Sequence, residues 1–73
     1  MIGRIVSFIV HGPDYFAAKL DNGRVRVGLT HCDCFDLQPE HPRFAEALAL
    51  ATPEAVESMH DDLMGASLAR GAL

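Results

Sequence analysis

Residues 15–29 read YFAAKLDNGRVRVGL, two apolar-rich runs joined by Asp21-Asn22-Gly23-Arg24. Asn-Gly is a strong short hairpin signal, because a two-residue type I′ loop needs positive φ at both central positions. With Asn22-Gly23 as that loop, Leu20 pairs with Val25, Ala18 with Val27 and Phe16 with Leu29. All six are apolar and fall on one face, so turn chemistry and alternation agree. The hairpin anchors everything else.

Upstream, residues 2–10 are rich in β-branched and aromatic types and lead into His11-Gly12-Pro13-Asp14, a turn sequence. With Gly12-Pro13 as the loop, Ile9 faces Phe16 and Ile5 faces Leu20. The expectation is a three-stranded antiparallel meander over 2–10, 15–20 and 24–29. Its core face would carry Ile5, Ile9, Phe16, Ala18, Leu20, Val25, Val27 and Leu29.

Downstream, residues 31–41 hold His, Cys, Asp and one proline around Phe35 and Leu37 and read as a connecting loop. Phe44, Ala47, Leu48 and Ala51 then recur at helical spacing, which predicts a short helix over 42–51. Thr52-Pro53-Glu54 stops it and starts another over 53–64: a capping threonine, a proline at the first helical position and a glutamate at the positive end of the dipole. Val56, Met59, His60 and Leu63 form its apolar stripe; Glu54, Glu57, Ser58, Asp61 and Asp62 take the other side. The fold class is α+β, both helices packed on one sheet face, since a bare three-stranded sheet is barely stable. Residues 1–64 make one small domain, and 65–73, opened by Gly65, are expected to fray.

The chain has 73 residues, 49% hydrophobic and 22% charged, a globular composition. A chain this short hides only about 60% of its unfolded surface. A deep pocket of several hundred cubic ångströms would consume much of that interior, so an elaborate enzyme is not expected. No apolar run approaches the roughly 18 residues of a membrane span, and residues 5–10 are too short for a signal peptide. Two cysteines one residue apart are not a disulfide scaffold, and a ring that small would add little loop-closure entropy. A reducing cytoplasm is the expected setting.

Charge is unevenly placed. Residues 1–30 carry four cations against two acids, a net +2, and residues 31–73 carry two against eight, a net −6. Two surfaces with different partners would produce such asymmetry, and so would an ordinary solvated acidic helix pair.

His31, Cys32, Cys34 and His41 are four zinc-type ligands within eleven residues. Structural zinc sites use wider cysteine spacing than C-x-C, so ordinary loop residues account for them better, and no cofactor or metal is expected. Cys32 or Cys34 beside His11, His31, His41 or His60 offers nucleophilic pairs on paper, but nothing supplies a third, orienting group. His60 lies in a helical apolar stripe, where packing is the commoner role. No P-loop, G-x-G-x-x-G or HExxH is present. No catalytic residue is assigned.

The side of the meander opposite the core carries more information. Alternation puts Val6, Phe8, Val10 and Tyr15 there, with Arg4, Lys19, Arg24 and Arg26 towards one end. Lys19 and Arg26 would then face each other across the hairpin, a repulsive pair whose cost implies a negative partner. Apolar and aromatic surface rimmed by arginine is typical of a protein interface, and a patch of this size calls for an explanation. These eight residues are the candidate partner-binding set. The simpler alternative is that the C-terminal segment or a twist of the first strand covers Phe8 and Val10.

The stretch from Val6 to Val27, with FAAKLDNGRV at 16–25, resembles the hairpin of S1-type and translation-initiation-factor-type small barrels. That resemblance implies RNA or single-stranded DNA binding, with Phe8 and Tyr15 stacking on bases and the cations tracking phosphates. The acidic balance opposes it. In size, acidity, strand-then-helix plan and absence of an active site, the whole chain is similar to the small regulators that lytic bacteriophages direct at host RNA polymerase. This second resemblance implies a non-enzymatic protein that docks on a polymerase subunit in the bacterial cytoplasm and changes initiation or termination. It carries over no individual residue.

Overall fold

The computed structural model describes residues 3–30 and 34–71, with side chains as far as residue 66. The fold is α+β. Four strands, β1 (Ile5–His11), β2 (Tyr15–Leu20), β3 (Val25–Leu29) and β4 (Cys34–Leu37), form one antiparallel sheet in sequential order. Two helices follow, α1 (Phe44–Leu48) and α2 (Pro53–Gly71).

The β2–β3 hairpin forms where the sequence places it, with a different turn. Its pairs are Lys19–Val25, Ala18–Arg26, Ala17–Val27, Phe16–Gly28 and Tyr15–Leu29, one residue away from the expected register. The amide of Leu20 donates to the carbonyl of Arg24 at 2.9 Å, so the loop is the three residues Asp21-Asn22-Gly23. Gly23 has φ of 86°, and no other residue type has positive φ among the described residues, which excludes type I′. Asn22 instead turns its side-chain oxygen onto the Arg24 amide at 3.0 Å, an Asx-type contact compatible with negative φ. Asp21 is also fixed: its amide donates to the Arg4 carbonyl, and its Oδ1 accepts from the Arg4 amide. The carboxylate and the amide side chain thus hold a three-residue loop with glycine last, the other common hairpin closure.

One residue of slip moves side chains to opposite faces. Val25 and Val27 now share a face with Ala17 and Tyr15, while Phe16, Ala18 and Leu20 lie on the other side with Gly28 and Arg26. The repulsive Lys19–Arg26 pair does not exist. Lys19 stands opposite Val25, and Arg26 is bounded by Ala18 on β2 and Asp36 on β4.

In the first hairpin the amide of Gly12 donates to the carbonyl of Tyr15 at 3.0 Å, and His11 pairs with Phe16, so the loop is Pro13-Asp14. Ile5 nonetheless lies opposite Leu20, as expected. Two β-bulges in β1, between Ile5 and Ser7 and between Phe8 and Val10, make up the two-step difference. They also change which residues point inward. Val10 is buried and Ile9 packs against the core, while Ile5 is 40% exposed. Gly12 is required by proximity, since a Cβ there would sit 2.8 Å from the Tyr15 carbonyl and 2.9 Å from the Pro53 ring.

The expected loop contains a strand. In β4, Phe35 and Leu37 face the helices and Asp36 faces away, opposite Arg26. Four strands, not three, make the sheet. Of the expected first helix only Phe44–Leu48 forms; α2 starts at Pro53 as read and runs through Gly65 to Gly71, where fraying was expected. The Ala55 amide donates to Thr52 Oγ1 at 3.2 Å, the cap its sequence announces.

The core lies between the helices and one sheet face: Val10, Ala17, Val25, Val27 and Leu37 below, Ala47, Val56, Met59 and Leu63 above. Ala17 beneath α2 lets helix and sheet approach closely. Arg43 ties the two helices, bonding Glu46 on α1 and Asp62 on α2. Both carboxylates hold its guanidinium pKa above the ordinary arginine value, the bond to Asp62 most.

Candidate docking face

Three transverse rows can be read across the helix-free side from the register. Ile5 leads to Leu20 and on to Arg24; Phe8 to Ala18, Arg26 and Asp36; His11 to Phe16, Gly28 and Cys34. Three of the β2 residues, Phe16, Ala18 and Leu20, are buried although no helix covers them. Phe16 is covered in part from within the sheet. The Phe8 ring stacks on His11, centroids 4.2 Å apart and planes 12° from parallel, and meets the Phe16 ring edge-on at 6.0 Å.

What remains outside is Ile5 at 40%, Val6 at 66% and Phe8 at 47% exposure, close together on β1. Beside them Ile5, Phe8, His11, Phe16 and Thr30 line a hollow of about 100 Å³. A wider, open groove on another side is bordered by Pro13, Asp14, Tyr15, Pro53, Glu54 and Glu57.

The cations divide into two groups. Arg26 donates from Nε and Nη2 to the two carboxylate oxygens of Asp36, at 2.8 and 2.9 Å, with both side chains about a quarter exposed or less. This bidentate cross-strand pair contributes on the order of 1 kcal/mol. The Asp36 bond raises the Arg26 pKa further, outweighing the opposing effect of burial. Arg4, Lys19 and Arg24 make no ion pair among the described residues. Arg24 is on the helix-free face; Lys19 belongs by register to the helix side but is exposed at its margin.

Of the eight partner-binding candidates, Val6, Phe8 and Arg24 lie towards this face, with Arg26 there but already engaged. Arg4 is exposed one step before Ile5, its backbone bonded to Asp21, and alternation turns its side chain off this face. Val10 is in the core. Tyr15 is half-buried against that core, its ring 6.0 Å from His60. Neither lies on the outer surface, because the bulges and the slipped register turned them inward. His11, Ile5 and Phe16 were missed. The signal for His11 was its place one strand-step beyond Val10, hidden by reading the strand as ending at residue 10.

His31 and Cys32 lie outside the described residues. Cys34 is exposed, its thiol donating to the Leu29 carbonyl at 3.3 Å, and His41 Nδ1 accepts from the Arg43 amide at 3.0 Å. Among the described residues no three His, Cys, Asp or Glu side chains group as metal ligands. His60 is buried between the rings of Tyr15 and Phe35, and among the described residues neither ring nitrogen has a hydrogen-bond partner. No described helix is long and apolar enough to cross a membrane.

Fold and face together define a class: a small α+β domain with helices on one sheet side and a partly exposed aromatic cluster on the other. No protein-family model, curated protein or solved structure matches the chain.

Proposed function

We propose that this chain is a non-enzymatic docking regulator that binds a bacterial RNA polymerase subunit in the cytoplasm and alters initiation or termination by occlusion. The observation carrying the docking half is the contiguous exposure of Ile5, Val6 and Phe8 on the face that also carries Arg24, which makes no ion pair among the described residues. Apolar surface with a cationic rim is what a partner desolvates first. The exposed acids of α2, among them Glu54, Glu57, Asp61 and Asp62, point away from that patch and would repel nucleic acid near the docked protein. Polymerase as the target rests on the chain's resemblance, in size, acidity and plan, to the small phage regulators of that enzyme. Titration of purified bacterial RNA polymerase with labelled protein, read by anisotropy and by run-off transcription, is the test. Saturable binding that Phe8→Ser weakens about tenfold or more supports the proposal. No binding at micromolar polymerase overturns the choice of target.

A second reading has one observation in its favour: the Phe8–His11 ring pair shares its face with two arginines, as single-strand binders arrange stacking and phosphate contacts. Arg26 is already neutralised by Asp36, which ranks this reading second. A steep loss of oligonucleotide affinity with salt would promote it.

A further inference from the structure

Resting on the docking reading, we infer that the segment seated on this face is an extended peptide with an aliphatic or methionine anchor and a carboxylate about three residues from it. The hollow sets the anchor. Its volume of about 100 Å³ suits one side chain and falls short of the several hundred cubic ångströms of a small-molecule site. Its walls are the Phe8, His11 and Phe16 rings together with Ile5 and Thr30, mostly apolar surface, so an aliphatic chain meets ring faces and edges.

Charge sets the second element. On this face Arg26 is spent on Asp36, while Arg24 has no ion pair among the described residues. Arg24 lies two strands from Ile5 along one row, through Leu20. Strand spacing makes that about 10 Å from the Ile5 wall of the hollow, or three residues of extended chain. A carboxylate at that distance reaches Arg24, and a basic segment meets repulsion there.

Beside the hollow, docking is through the face and not as a strand added to β1. An added strand needs a regular row of outward amides and carbonyls, and the bulges at Ile5–Ser7 and Phe8–Val10 interrupt that row on β1.

The test uses the full chain, isotope-labelled for amide and methyl NMR, and three nine-residue peptides of serine and threonine background. One carries leucine with glutamates three and four positions later; the others replace leucine by alanine or the glutamates by lysines. The leucine–glutamate peptide should perturb Ile5, Phe8, His11, Phe16, Thr30 and Arg24. Each change in the peptide should weaken binding at least about fivefold, and Arg24→Glu, a partly exposed site, should reverse the glutamate-over-lysine preference. Equal binding of all three peptides, or shifts confined to the Pro53 groove, overturns the inference. So do contacts from residues 31–33 filling the hollow in the unliganded chain, and so does concentration-dependent broadening of the same signals, which would make a second copy the occupant. Polymerase binding that survives Arg24→Glu while the peptides fail leaves the docking reading standing and removes this one. Failure of both removes both.

Discussion

His60 stands in the core with Tyr15 and Phe35 rings about 6 Å from its own and with both nitrogens unbonded among the described residues. Asp61 Oδ1 is 3.9 Å from Nδ1 and 69% exposed, too remote for a hydrogen bond. A buried polar group without a partner costs free energy that an apolar side chain of similar size avoids. His60→Leu should therefore stabilise the fold by about 1 kcal/mol, seen as a higher midpoint in urea unfolding. A lower midpoint would mean that the imidazole has a bound partner. The burial of His60 was legible from its helical stripe. Its lack of partners was not, because that depends on Tyr15 and Phe35, which arrive from strands the sequence placed differently. Arg26 was legible as an outer-face residue, but its engagement by Asp36 was hidden by reading residues 31–41 as loop. That guanidinium's raised pKa makes its contribution complete below the ordinary arginine value. Stability from this source is lost only as pH rises through the higher folded value, far into alkali.

Among the elements, the hairpin turn decides most. Gly23 holds φ of 86°, so Gly23→Ala should cost about 1 kcal/mol although a Cβ there meets nothing within 4 Å. Matched unfolding curves with an unchanged m-value would check this; a neutral outcome would exclude the three-residue loop. The Asn-Gly pair located the hairpin correctly and misstated its closure, since local preference for type I′ competes with a contact from 17 residues away. Arg4 holding Asp21 is that contact, invisible in the dipeptide. The misreading then propagated to the site. Phe8, Val6 and Arg24 were placed on the correct surface, whereas Val10 and Tyr15 were not, because β1 contains two bulges that period-two alternation cannot express. Helix α2 was read more faithfully: its cap, its stripe and its acidic side depend on local spacing alone.

For the molecule as a whole, one cluster beneath two helices supplies most of the buried apolar contact. A chain of this length has a net stability of only about 4–10 kcal/mol. Met59, 1% exposed at the centre of that cluster, should cost about 3 kcal/mol when changed to alanine, a large part of the total. Thermal unfolding followed by circular dichroism should show a fall in midpoint well over 10 °C; a fall of only a few degrees would mean that the helices contribute little to holding the sheet. The overall plan of strands followed by helices over one sheet side follows from apolar spacing and could be read directly. The fourth strand could not, as Cys34–Leu37 is too short for alternation to stand out from the prolines and acids around it.

The irregular course of β1 also bears on solubility. Ile5–His11 contains no lysine, carboxylate or proline, the usual guards against one molecule's rim templating on the next. Its surplus residues do that work by geometry. A chain shortened by one residue at each bulge, Val6 and Ile9, would straighten the strand and offer its neighbours an uninterrupted, oily ribbon, so that fibre growth, normally checked by charge, is here held back by a miscount.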